Sequence, residues 1–217
     1  MTERIAYVIC DLDGCLADDR ARTHLLPLSG AHPDAYLPYH AAASFDPVVV
    51  TVAADLLFYA FDANSRQRAL VLFVTARPAQ FRGATLDWLY NSAMPALGCA
   101  LQFELLMRPD GDQSSSPVLK MNLLNAYFEG VHIDATVGWS QVVAAFDDRE
   151  DILSVYPISG ERRMLCQLPA QPPLGARIDA ARFIAAQLSR FIQSGLSDVK
   201  SIGLVAETAA QIKGELG

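Results

Sequence analysis

The chain has 217 residues, 52% of them hydrophobic and 19% charged, with a formal net charge of −7 and a pI near 5.0. That is enough apolar material for a buried core and too little charge for a disordered chain. The acidity weighs against tight, nonspecific binding to duplex DNA or to an anionic membrane.

Residues 5–10 form a short apolar, partly β-branched run, read as a buried strand that ends in Asp11-Leu12-Asp13-Gly14. Residues 17–45 have no regular period; the segment carries His24, His32, His40, Tyr36 and Tyr39 and is too short for a large cap domain. Asp46-Pro47 has the pattern of a helix start, with Asp46 as cap, and the helix is expected to run to about residue 62. A second strand over 69–74 stops at Thr75-Ala76-Arg77-Pro78, and a helix follows over 79–91 with a turn at 95–98. A third strand is expected over 101–107, then a polar loop from Arg108 to Pro117 and a helix over 118–128 closed by Gly130. The fourth strand, 142–146, leads into Asp147-Asp148, and a fifth is placed at 164–168. Pro172-Pro173 and Gly175 separate it from two amphipathic helical stretches, 177–193 and 198–214.

Short apolar strands alternating with helices imply an α/β protein with a doubly wound parallel sheet. The expected organisation is a core over 1–175, with a small lid insert at about 17–46, and a C-terminal helical extension over 176–217 packed on the core or in a homodimer. No apolar run spans a bilayer, since residues 48–59 are cut by Thr51 and Asp55, and no signal-peptide pattern opens the chain; a cytoplasmic protein is expected. Cys10, Cys15, Cys99 and Cys166 form no CxxC pair and read as free thiols.

In doubly wound sheets ligands bind beyond the carboxyl ends of the strands. There this chain places Asp11, Asp13, Thr75, Arg77, Arg108, Asp147 and Asp148. Alternate residues leaving a strand point the same way, so Asp11 and Asp13 are expected to face one site, with one of the two pKa values raised unless a cation intervenes. Four acids in one crevice need positive charge, and Mg²⁺ takes hard oxygen ligands. Lys120, near a helix N-terminus, adds a point charge for phosphate. Each segment also has an ordinary reading: a solvated DxDG turn, capping by Thr75 or by Asp147-Asp148, a surface lysine. The argument rests on their shared edge.

DLDG after strand one, Thr75 after strand two, Lys120 early in a helix and Asp147-Asp148 after strand four resemble the haloacid dehalogenase superfamily of phosphohydrolases, over about residues 5–151. The resemblance implies a Rossmann-like sheet of order 5-4-1-2-3 and an aspartyl-phosphate mechanism. Asp11 would be the nucleophile and Asp13 the proton shuttle, with Thr75 and Lys120 holding the phosphoryl group. Mg²⁺ would be bound by Asp11, the Asp13 carbonyl, and Asp147, Asp148 or both. The segments FVTARP, LLMRPDGD and AFDDRED are similar to the 3′-phosphatase domain of phage-type polynucleotide kinase, which implies a nucleotide or a short nucleic-acid end as substrate. Gly14, Ala76, Arg77, Arg108 and Arg149 are its candidate substrate-binding residues, and Asp112 also matches. Cys15 stands where that superfamily usually has Thr, and no GxxxxGK[ST] segment is present, so no kinase activity is expected. A phosphatase for another small metabolite and a non-catalytic module on the same fold are the alternatives.

Overall fold

The computed structural model describes residues 5–28, 32–61, 69–98 and 101–168. The expected C-terminal helices and Cys99 lie outside the described residues. Five strands form one sheet: β1 (Ala6–Cys10), β2 (Ala69–Pro78), β3 (Phe103–Arg108), β4 (Val142–Asp147) and β5 (Arg163–Leu165). Their order is β3-β2-β1-β4-β5, with every neighbouring pair parallel; from the opposite edge it reads 5-4-1-2-3. Tyr7 through Cys10 are all buried, as a central strand covered on both faces requires.

Side-chain alternation sorts the core into two halves. Val8, Cys10, Val71, Phe73, Ala144 and Phe146 pack with α2 (Val50–Ala60), α3 (Arg82–Trp88) and α4 (Met94–Leu97). Tyr7, Ile9, Leu72, Val74 and Ala145 pack instead with Leu124 and Phe128 of α5 (Ser116–Val131), Trp139 of α6 (Ala135–Ser140) and Ile152 and Leu153 of α7 (Glu150–Val155). Trp88 and Trp139 are core residues, as their helical settings suggest. Because the strands are parallel, their carboxyl ends share one edge.

Several boundaries differ from the sequence reading. Asp46 is not the N-cap of α2: that helix begins at Val50 with Val49 before it, and the Asp46 carboxylate is taken by Arg22 at 2.6 Å. The helix expected over 79–91 continues to Leu97, through a 3₁₀ turn (Ala79–Phe81), α3, a π turn (Leu89–Ala93) and α4. Pro95 does not break it, since it sits in the first turn of α4, where no N–H is needed. Gly98, with φ of 65°, closes the run. Gly130 falls inside α5 rather than closing it.

The insert is ordered into 3₁₀ turns (Asp19–Leu25, Pro33–Tyr36 and Ala42–Phe45) and α1 (Leu37–Ala41). Its two ends are tied together by Asp18 N–H to Pro47 O and Val49 N–H to Leu16 O, both 2.8 Å, so it returns to the place where it left the core.

Candidate active site

Alternation along β1 carries Tyr7 and Ile9 toward α5, and the next residue in that series is Asp11. Its N–H donates to Phe146 O at 2.9 Å, which pins the end of β1 to β4. On β4, Asp147 continues the series of Ala145. Lys120 lies one helical turn before the core residue Leu124 on α5 and reaches between the two acids. Its Nζ is 2.8 Å from Asp11 Oδ1 and 2.7 Å from Asp147 Oδ2. All three are buried, while Asp148 is exposed at the mouth. Asp11, Asp147 and Asp148 each bring a carboxylate oxygen within 4.8 Å of the others. Gly14 makes room for this: its φ is 78°, and a Cβ there would stand 2.7 Å from Asp148 Oδ2.

Three carboxylates face one ammonium here. Burial, then the charges of Asp147 and Asp13, push the Asp11 pKa up to about 7 despite Lys120. Burial and Asp11 push Asp148 up to about 6, and burial also raises Asp147. Burial works against the Lys120 charge, but Asp11 and Asp147 outweigh it and hold its pKa well above the ordinary lysine value. A cluster of hard, closely spaced oxygens whose protons are held too tightly is the donor set that a divalent cation fits. The residues present can therefore hold a metal ion.

Asp13 sits in a different charge setting from Asp11. The strand ends at Cys10, so the period of two no longer governs residue 13. Arg77 Nε meets its two oxygens at 3.0 and 3.1 Å, and Arg22 Nη2 meets Oδ1 at 2.5 Å. Burial alone would raise its pKa, but the Arg77 and Arg22 guanidinium groups hold it well below the usual carboxylate range. Of the two acids in the turn, Asp11 has its pKa raised, while Asp13 has its pKa lowered and is ionised.

Arg22 was not singled out in the sequence, where it reads as one of two arginines in a polar turn. It is 3% exposed and joins Asp13 to Asp46, with its guanidinium carbon 3.8 Å above the Tyr39 ring. Nothing local marks such a residue; its partners lie 9 and 24 positions away.

The other expected residues divide. β2 runs on to Pro78 rather than stopping at Thr75; Thr75 is fully buried within it, and its Oγ1 accepts the Arg77 N–H at 3.2 Å. The Ala76 carbonyl accepts from Arg108 Nε at 3.2 Å. Arg108 also donates to Ser114 O at 2.8 Å and pairs with Asp112 at 3.1 Å, so it staples its own loop to β2. Arg149 is half-exposed at the rim and pairs with Asp151 at 2.6 Å. Arg77 is 1% exposed and committed to Asp13. Three arginines expected to grip substrate thus have partners within the protein. Cys15 turns into the core, its Sγ 3.0 Å from Cys166 Sγ, away from the role of a site hydroxyl. Of the insert aromatics, Tyr36, Tyr39 and His40 pack together, with Phe81 6.0 Å from His40. Burial lowers the His40 pKa to about 4, so the imidazole is neutral at pH 7.

No family profile and no curated protein matches the chain. Among solved structures, it is weakly similar to chains in two structures of the Pnkp1/Rnl/Hen1 RNA repair complex. One is 24% identical with a TM-score of 0.44, covering 69% of this chain and 38% of the other. The second is 22% identical with a TM-score of 0.48, covering 79% and 48%. The chain thus spans less than half the length of either. No helix among the described residues is long and apolar enough to cross a membrane.

Proposed function

We propose that the protein is a Mg²⁺-dependent phosphomonoester hydrolase of the haloacid dehalogenase type, with Asp11 as nucleophile. The observation that carries this reading is the excess of negative charge at Asp11, Asp147 and Asp148 around the single buried Lys120. Such a site repels a phosphate until a cation joins it. When bound, Mg²⁺ neutralises charge on the phosphate and on the carboxylates. Asp11, Asp147 and Asp148 are the side chains that would hold it.

The chain's own residues then have defined tasks. One Asp11 oxygen attacks phosphorus, the P–O bond to the leaving alcohol breaks, and an aspartyl phosphate forms; water hydrolyses it to restore the carboxylate. Lys120 supplies positive charge to the phosphoryl oxygens. Asp13, ionised between its arginines, is a weak base as it stands, so taking a proton from that water also needs a loosened arginine contact. For it to protonate the leaving alcohol first, its pKa must rise. A substrate phosphate that draws Arg22 or Arg77 away from Asp13 has that effect, because each arginine removed removes part of what depresses the pKa.

For the substrate we favour a phosphate on a nucleotide or at a polynucleotide 3′ end. The resemblance in the TARP, RPDGD and DDRED segments supports this, as do the packed rings of Tyr36, His40 and Phe81, with His40 in the field of Arg77, Arg22 and Arg108. The commitment of Arg108 and Arg149 to internal partners narrows the contacts to a mononucleotide or short end. The test compares kcat/KM for a 3′-phosphorylated oligonucleotide, a nucleoside monophosphate and a hexose phosphate, with Mg²⁺ and after chelation. Hydrolysis is expected only with the metal, and fastest on the nucleotide substrates. A preference for the hexose phosphate overturns the substrate assignment, and turnover that survives chelation overturns the metal.

A further inference from the structure

Tyr156 follows α7, is 1% exposed, and has a hydroxyl with no hydrogen-bond partner among the described residues. Its ring lies in the same packed cluster as Leu124 and Leu153, with the Trp139 ring 5.4 Å away. α5 packs against α7, and Leu124 of this cluster is one turn along α5 from Lys120. Burial raises the phenol's pKa, and Lys120, Asp147 and Asp11 are the charges that act most strongly upon it.

Lys120 has a matching deficit. An ammonium carries three N–H donors. Two go to Asp11 and Asp147, and no third partner is present among the described residues. An unpaired buried hydroxyl and an unpaired N–H each carry the cost of lost hydration. One water between them removes both costs. Phenylalanine would fill the same space, so apolar packing gives no reason for the oxygen.

We propose that Tyr156 is the positioning residue of Lys120, its hydroxyl oxygen accepting from the third N–H through one buried water. The proposal rests on the phosphohydrolase reading for its consequence. A lysine is a point charge on a flexible stem. When Asp11 and Asp147 turn oxygens toward a cation and a substrate, Lys120 loses the partners that hold it. Tyr156 is then the contact that keeps the ammonium aimed at the transferring phosphoryl group.

The test is Tyr156→Phe in the full chain, which removes the oxygen and keeps the ring. Turnover of 4-nitrophenyl phosphate is measured at saturating Mg²⁺, normalised to folded protein by circular dichroism, with thermal unfolding alongside. The expected result is a kcat lower by about tenfold, as for one lost hydrogen bond to a charged group, with KM within about twofold. A kcat equal to that of the wild type overturns the proposal. If the wild type hydrolyses no phosphomonoester, the hydrolase reading fails by itself and the unfolding temperature decides the contact. A lower Tm in Tyr156→Phe supports a paired hydroxyl; an unchanged or higher Tm shows an unpaired one and overturns it.

Discussion

The two carboxylates of the Asp11-Leu12-Asp13 turn sit two residues apart in opposite electrostatic settings. Around Asp13 the charges balance: Arg22 and Arg77 face Asp13 and Asp46, all four largely buried. Around Asp11 they do not, since among the described residues Asp11, Asp147 and Asp148 share one buried cation, Lys120. The balanced half is a closed structural unit that holds the insert to the sheet. The unbalanced half is incomplete as an all-protein arrangement, and an incomplete acidic site is one that can accept a cation.

The largest effect that would sharpen this contrast is on chemistry. Asp11→Asn should lower turnover by about 10,000-fold or more, because an amide is no anionic nucleophile. It should leave the unfolding temperature of the metal-free protein unchanged or raised, since it removes an undercompensated buried charge. Retained turnover in the folded variant would break the assignment.

Arg22→Gln should act in the other half and chiefly on stability. It leaves Asp13 and Asp46 short of a buried partner, with an expected loss of about 3 kcal/mol in urea unfolding. A loss near zero would mean that the balanced half is not a structural unit.

The pH dependence of the metal-free protein separates the two halves by sign. Asp11 near 7 and Asp148 near 6 lie above the ordinary 3.8. Their stabilising contribution is complete below about 3.8 and is lost as pH rises through about 6 to 7. Asp13, with its pKa depressed, contributes stability that is present above 3.8 and is lost only as pH falls below it. The Tm of metal-free protein should therefore fall from about pH 5 to about pH 8, and Mg²⁺ should raise it more at the higher pH, where the carboxylates are ionised. A Tm that climbs over that interval would contradict the charge imbalance.

The smallest effect is expected at the rim. Arg149→Ala removes an exposed pair with Asp151 and should cost less than ~0.5 kcal/mol, with turnover near that of the wild type. A large loss of kcat/KM would return Arg149 to the substrate-binding set.

The strand pattern was legible because a central parallel strand must be apolar throughout, as Tyr7 to Cys10 and Val71 to Val74 are. The acidic half of the site was legible for the same reason: Asp11 and Asp147 stand directly where those apolar runs stop. Asp46 misled because Asp-Pro has the local form of a helix start, and only the distant Arg22 shows where its carboxylate goes. The arginines show the same limit of a local reading. Their charge was visible in the sequence, but whether Arg77, Arg108 and Arg149 are open to a ligand depends on Asp13, Asp112 and Asp151.

By itself, then, the sequence determined the alternation of strands and helices, the edge on which the polar residues gather, and the identity of the acids and the lysine there. These follow from local rules: side-chain period, burial of apolar runs, and the position of strand ends. Only the tertiary structure decided which charges neutralise one another. That division depends on contacts such as Arg77 with Asp13 and Lys120 with Asp147, formed between groups 64 and 27 residues apart. Coulomb energies and desolvation depend on distance in space and on burial, neither of which a linear pattern contains.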